Sequence, residues 1–238
     1  MLKRLFMLIA LALMAVLFYD IAGNYSERSE LTGISKHYAT EGASELGAAN
    51  LVASVVITYR GLDTLGEVTV LFISAAGASL LLRRRRSSAE KDSGEDIEGG
   101  TPRQYAESSE IVQTTLSILF PIILLFGVYI FINGHLTPGG GFQGGAVIAS
   151  ALLFFILAKP NDSLSHALLM KVESLSGFTY VLLGLLGVFL AGGFLDNRVL
   201  PLGDFGSLFS AGLIPLINVL IGLKVGSELG SLLQKFKE

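Results

Sequence analysis

Six long stretches of this chain are almost free of charge, and the charged residues crowd into the gaps between them. Each stretch runs roughly 14 to 26 residues, and a spanning helix needs about 20 mostly apolar ones. The pattern predicts an all-α integral membrane protein. Charged residues make up 16% of the 238, against about 25% in soluble domains. The chain has no cysteine, which excludes a disulfide framework, thiolate zinc or iron–sulfur sites and a cysteine nucleophile. A net charge of −3 gives no reason to expect nucleic acid.

The charge bias orients the spans, because Lys and Arg near span ends stay in the cytoplasm. Residues 1–22 carry Lys3 and Arg4 before the apolar run Leu5–Phe18. A cleaved signal peptide is one reading, and a first spanning helix, which keeps the topology even, is the other. Residues 23–45 are polar, with Gly33 and Gly42 interrupting any helical pattern, and read as a solvent loop. Residues 46–60 show apolar residues at helical spacing but are short, which suits an interfacial or re-entrant helix. The next run, 61–82, is long enough to cross and ends at Arg83-Arg84-Arg85-Arg86. If 46–60 also crossed, the four arginines would lie outside. This gives two spans in the first half. Four more follow at 111–132, 143–158, 166–191 and 207–230, with Pro121 and Pro215 inside the first and last. Both termini then lie in the cytoplasm, and all but four of the 17 Lys and Arg (Arg28, Lys36, Arg60 and Arg198) sit on or near that side. The expected organisation is a 2+4 arrangement. It comprises a two-span module over 1–86, a flexible charged cytoplasmic linker over 87–108 and a four-span module over 109–238. The linker has too few apolar residues to offset the entropy of ordering.

Three clusters invite a chemical reading. The first is Asn133 to Gly145, with Gly134, His135, Pro138, Gly139, Gly140, Gly141, Phe142, Gly144 and Gly145. So many glycines disfavour a regular helix. The segment is either a tight, closely packed helix–helix turn or a break beside an ion or water path, with His135 able to titrate near neutral pH. The second is Arg60, Asp63 and Glu67. Asp63 and Glu67 share a helical face and either cap and pair, or carry a proton or cation, since an ionisable group at a span must face protein or water. The third is in the last span. Lys224 there is expected to snorkel to the interface, and Asn218 to act as interhelical glue. Lys171 and Glu173 are expected in the interface. His37 and His166 have no metal-ligand partner at useful spacing.

Two segments resemble known families. The run GHLTPGGGFQGG, from Gly134 to Gly145, resembles the GHxxPGGGFxGG signature of the B-type chain of Mrp-type multisubunit sodium/proton antiporters, and the likeness extends over about residues 105–236. The run NLVASVVITYRGLDTLGEV resembles a segment of the C-terminal end of the antiporters' A-type chain. In membrane-bound hydrogenases that piece is a separate small E-type chain, and here it covers about residues 1–85. Arg60, Gly61, Asp63, Thr64, Gly66 and Glu67 match its DFRGxDTxGE pattern, whereas Thr58-Tyr59 replace Asp-Phe.

The resemblance implies a non-catalytic membrane subunit of an Mrp-type cation/proton antiporter module, in which an E-like piece is fused to a B-like one. Such a module stands alone or within a hydrogenase-like respiratory complex. It implies Na+ and H+ as transported ions, with no cofactor bound by this chain. The implied partners are A-, C-, D-, F- and G-type antiporter subunits in the cytoplasmic membrane. Glu67, Asp63 and Arg60 are the ion-path candidates, with His135 beside them. The glycine loop is a subunit-packing element, and Lys224 and Asn218 are secondary candidates. A purely structural assembly subunit is the competing expectation. An independent channel or enzyme is disfavoured by the lack of a cofactor motif or a nucleophile–base pair.

Overall fold

The computed structural model describes residues 2–26, 30–92, 108–162 and 164–237, and among them there is helix and loop but no strand. The chain divides into two units, 1–37 and 38–238. The first contains α1 (Leu2–Gly23), whose apolar residues from Leu5 to Ile21 face outward on every side. A helix that is apolar all round needs lipid or protein around it.

The second unit holds most of the chain. It includes α4 (Gly61–Asp92), α5 (Glu110–Ile132), α6 (Gly141–Ala158), α7 (His166–Leu190) and α8 (Ile214–Lys237). With α1, these supply six helices long and apolar enough to cross a membrane, the expected two plus four. Residues 38–238 pack as one unit, which brings α4 of the first module against the helices of the second. At its centre α8 touches α4, α5, α6 and α7. Glycine allows the close approach. At Gly145 a Cβ would lie 2.8 Å from the Gly222 carbonyl oxygen, and at Gly144 one would lie 2.7 Å from that of Gly127. Small residues of this kind let helix backbones meet where no hydrophobic force distinguishes helix from lipid.

Several boundaries differ from the sequence reading. Residues 33–46, expected in a loop, form α2 (Gly33–Leu46). Gly42 does not break it but makes room, since a Cβ there would sit 2.9 Å from Leu51 Cδ1. Helix α6 starts at Gly141, two residues before the expected span, so Gly141 joins Gly144 and Gly145 in the helix and 133–140 is loop. The last span begins at Ile214 and not at 207. Gly206 and Gly212 hold positive φ before it, and Pro215 falls in its first turn, where the missing N–H is not needed. Finally, α4 continues past the arginines to Asp92. Residues 83–92 hold Arg, Ala, Glu and Lys, all good helix formers, with no Gly or Pro. The part of the expected linker at 93–107 lies outside the described residues.

Residues 46–60 agree better. After α2 ends, a four-residue turn of helix, α3 (Leu51–Ser54), runs into a π-helical turn over Val55–Tyr59. Nine helical residues reach about 14 Å, too short to cross. Thr64 on α4 donates its hydroxyl to the Val56 carbonyl of the π turn. Tyr59 stacks on Tyr38 with ring centroids 4.6 Å apart and donates its hydroxyl to Glu45.

Candidate functional site

Two polar constellations stand out, at different depths. The first lies at the end of the bundle where α3, the 133–140 loop and the 191–213 loop converge. Asn50 organises it with both ends of its amide. Its Oδ1 caps α3 by accepting from the Val52 and Ala53 N–H groups at 3.1 and 3.3 Å. Its Nδ2 donates to the carbonyls of Gly134 at 2.7 Å and Thr137 at 2.9 Å, with Gly139 at 3.5 Å. Its own backbone N–H donates to the His135 carbonyl at 2.9 Å. The E-like piece is therefore clamped to the glycine loop of the B-like piece through one residue. Asn197 adds a second tie, donating to the Leu46 carbonyl at 2.9 Å.

Beside that tie, Leu195 is fully buried with φ 60° and packs on Gly61, where a Cβ would lie 2.8 Å from Leu195 Cδ1. A non-glycine residue in that region costs about 1–3 kcal/mol and persists only where its surroundings enforce it. Next to it, Asp196 binds Arg198 through both carboxylate oxygens, and this holds its carboxyl below the usual range.

His135 is fully buried under this clamp. Its Nε2 lies 3.3 Å from the Ser207 carbonyl. A carbonyl can only accept, so in this contact Nε2 is the donor. Nδ1 has no partner among the described residues. Burial lowers the imidazole pKa, opposed by hydrogen bonding to the backbone of Ser207, Ile132 and Leu208. No hydrogen bond or ion pair among the described residues joins His135 to Arg60, Asp63 or Glu67.

The other residues of the glycine cluster turn inward too. Gly134 and Gly141 pack on Asn218, whose Oδ1 accepts from the Gly141 N–H at 3.0 Å. Gly139 holds φ +147°, Gly140 precedes α6 as its N-cap, Phe142 packs against the core and Pro138 is exposed. Asn218 is thus glue, as expected, but between a helix and a loop. The close packing expected of this segment is present. The contacts its glycines make here are within the chain.

Arg60 and Asp63 form an ion pair with side chains 63% and 53% exposed, an arrangement worth no more than about 1 kcal/mol. Glu67 is exposed on α4. It lies near enough to the buried Tyr180 hydroxyl on α7 to interact with it electrostatically.

The second constellation lies deeper, where α4, α7 and α8 meet. Lys224 does not snorkel. It is 9% exposed and donates to Glu228 Oε2 at 2.8 Å, with Glu228 only 2% exposed. Lys224 Nζ also stands 5.2 Å from the centre of the Phe72 ring on α4. An ammonium four residues before its carboxylate is the weaker order for an exposed pair. Burial makes the pairing obligatory, because either charge alone would be far more costly. Glu173 is half-buried and interacts electrostatically with Glu228, Lys224, Lys235 and His166. Glu173 and Glu228 line a cleft of about 230 Å³, to which α4 also contributes Phe72 and Ser79, α7 His166 and α8 Lys235. The sequence reading weighs Glu228 only as an unfavourably ordered partner of Lys224 and does not anticipate how deeply the pair is buried. Their signal was an ionisable residue seven or more positions inside a helix boundary.

Comparison with known proteins gives this geometry its setting. Residues 111–231 match a domain related to the MnhB subunit of Na+/H+ antiporters, and residues 3–95 match the E-type subunit of MBH. An uncharacterized protein of Methanocaldococcus jannaschii is 32% identical over 196 residues, 74% of this chain and 72% of that one. The B-type subunit of the Na+/H+ antiporter of Bacillus subtilis is 36% identical over 78 residues, 33% of this chain and 54% of that protein. Among solved structures, a chain of the membrane-bound sulfane sulfur reductase, an archaeal respiratory membrane complex, superposes with TM-score 0.78. It is 37% identical, over 99% of this chain and 98% of that one. A chain of the Mrp complex from Dietzia sp. DQ12-45-1b shares the fold, with TM-score 0.72 at 24% identity, over 98% of this chain and 26% of that one.

Proposed function

The chain belongs to the family of domains related to the MnhB subunit of Na+/H+ antiporters, and on that premise we propose that it is a non-catalytic membrane subunit of a cation/proton antiporter module, in which it helps couple Na+ and H+ movement. The observation that carries this reading is Glu67. It is a carboxylate exposed on a helix apolar enough to span, and it has no hydrogen-bond or ion-pair partner among the described residues. An ionisable group on such a helix is tolerated where protein or water shelters it, so Glu67 calls for another subunit or an aqueous path. Asp63 and Arg60, about one and two turns nearer the helix start, adjust the charge at its approach. A respiratory assembly is the setting we favour, on the strength of the full-length likeness to the sulfane sulfur reductase chain.

The partners are membrane subunits of the A, C, D, F and G antiporter types. The exposed apolar faces of α1 and α5 are open to them or to lipid. We place the chain in the cytoplasmic membrane with both termini cytoplasmic, from the tetra-arginine run at 83–86 and the retention of such charge on that side. Protease access to 93–107 in vesicles of each orientation tests that placement, and cleavage only from the exterior refutes it. Glu67→Gln tests the ion role. The expected result is loss of sodium-linked proton movement in a fully assembled complex. An assembled complex with unchanged activity would assign Glu67 to structure alone.

A further inference from the structure

Tyr180 on α7 is 2% exposed, yet its hydroxyl has no hydrogen-bond partner among the described residues. A buried polar group left unpaired is expensive, and a phenylalanine would fill the same space without that cost. What the hydroxyl faces follows from the register of α4, α7 and α8. Helix α4 runs parallel to α8, since Phe72 lies beside Lys224 and Ser79 beside Lys235. Helix α7 runs antiparallel to α8, since His166 meets Ser231 and a Cβ on Gly177 would lie 3.5 Å from Lys224 Cδ. One turn from Lys224 toward the start of α8, the residues at one level are therefore Ile221 on α8, Tyr180 on α7, and Glu67 and Val68 on α4. Tyr180, Ile221 and Val68 share one core cluster. Thr64 and Val68 mark the buried face of α4, and Glu67 sits on the flank of that face, about 60° round from Thr64. Its charge is close enough to act on the Tyr180 hydroxyl.

We propose that Tyr180 is the positioning residue of Glu67: its hydroxyl donates to a water molecule held between α4 and α7, and that water donates to one oxygen of the Glu67 carboxylate. A bridging water is nearly as good as a direct hydrogen bond, and it spans the separation between two side chains that make no direct one. The neighbouring polar groups are already committed, Thr64 to the Val56 carbonyl and Lys224 to Glu228. One carboxylate oxygen is thereby held, and the other stays open on the exposed flank of α4. The tyrosine keeps its proton throughout. Glu67 lies in the E-like piece and Tyr180 in the B-like piece, so the link makes the acid of one piece depend on a hydroxyl of the other. This deepens the proposed function and rests on its reading of Glu67 as an ion-path group, but the pairing of the two side chains is tested separately from that reading.

The first measurement is a double-mutant cycle on thermal melts of the full chain in detergent. Tyr180→Phe removes one oxygen and keeps the ring. It is expected to lower Tm by about 2–4 °C in the wild-type background and to leave Tm unchanged in Glu67→Ala, where the acceptor is gone. An unchanged or raised Tm in Tyr180→Phe means a hydroxyl without a partner, and equal losses in both backgrounds mean a partner other than Glu67. Either result overturns the proposal. The second measurement follows sodium-linked proton movement by the intact complex. Tyr180→Phe is expected to raise the Na+ concentration for half-maximal movement about five- to tenfold, with turnover at saturating Na+ kept. An unchanged half-saturation in a complex that needs Glu67 overturns the positioning role. Coupled melts beside a Glu67→Gln complex of normal activity would uphold the pair and reject the ion role of Glu67. Additive melts beside an inactive Glu67→Gln complex would overturn the pair and leave that role standing.

Discussion

Asn50→Ala is the sharpest perturbation the structure offers, because a single amide serves two ends. Its oxygen caps α3, and losing such a cap costs about 1 kcal/mol. Its nitrogen satisfies the Gly134 and Thr137 carbonyls, each worth about 1 kcal/mol net and more if left buried without a donor. The total is roughly 3 kcal/mol, a factor of about 100 to 200 in the equilibrium between docked and undocked glycine loop. Asn50→Ser retains a capping oxygen and loses the two donors, so about 2 kcal/mol is expected from it. The assay cuts the chain at a protease site placed within 93–107, then asks whether a tag on the C-terminal half retains the N-terminal half after mild solubilisation. Wild type should stay associated, the serine variant should leak, and the alanine variant should separate most. If the cut Asn50→Ala protein holds together as firmly as wild type, the clamp is not what joins the two pieces. If the serine and alanine variants behave alike, the cap contributes nothing.

Other substitutions have equally definite outcomes. Gly141→Ala places a methyl 2.6 Å from Ile221 Cβ and 2.7 Å from the Asn218 carbonyl, and should lower stability by about 1–3 kcal/mol in thermal melts. Gly66→Ala, where nothing lies within 4 Å, should leave the isolated chain as stable or slightly more so. Lys224→Met strands Glu228 and should cost about 3–5 kcal/mol, while the double change with Glu228→Met should recover most of it, as read by denaturant or thermal melts in detergent. For His135 the folded pKa is depressed, so its contribution is intact above the unfolded value of about 6.5. Stability is then lost as pH falls from there toward the folded pKa, and His135→Gln should flatten that limb of the stability–pH curve.

The spans were legible because lipid imposes a coarse rule, length and apolarity, that needs no knowledge of neighbours. Pro121 inside α5 and the shortness of 46–60 followed from equally local arguments. What escaped depended on contacts across the chain. Gly42 reads as a breaker until Leu51 and Tyr59 are seen beside it. Gly141 reads as loop because composition does not reveal that α8 presses against it. Lys224 was assigned to the interface from its distance along the sequence, but α4 and α7 enclose it, and Glu228 completes its neutralisation. Glu67, by contrast, stands out in the sequence from its place before a charge-free run, and in the structure it is exposed on α4.

The depth of Glu228 has an electrical consequence. Nine residues separate it from the end of α8 at Lys237, about 14 Å at 1.5 Å per residue, somewhat under half of a hydrocarbon layer of about 30 Å. Any charge arriving at that carboxylate from this end has already crossed that share of the field. At 100 mV the whole crossing is worth about 2.3 kcal/mol per elementary charge, so moving one charge between the end of α8 and that carboxylate changes its free energy by roughly 1 kcal/mol. A substitution that changes the charge at this depth therefore changes the electrical energy of the fold, which the same substitution at Lys237 does not.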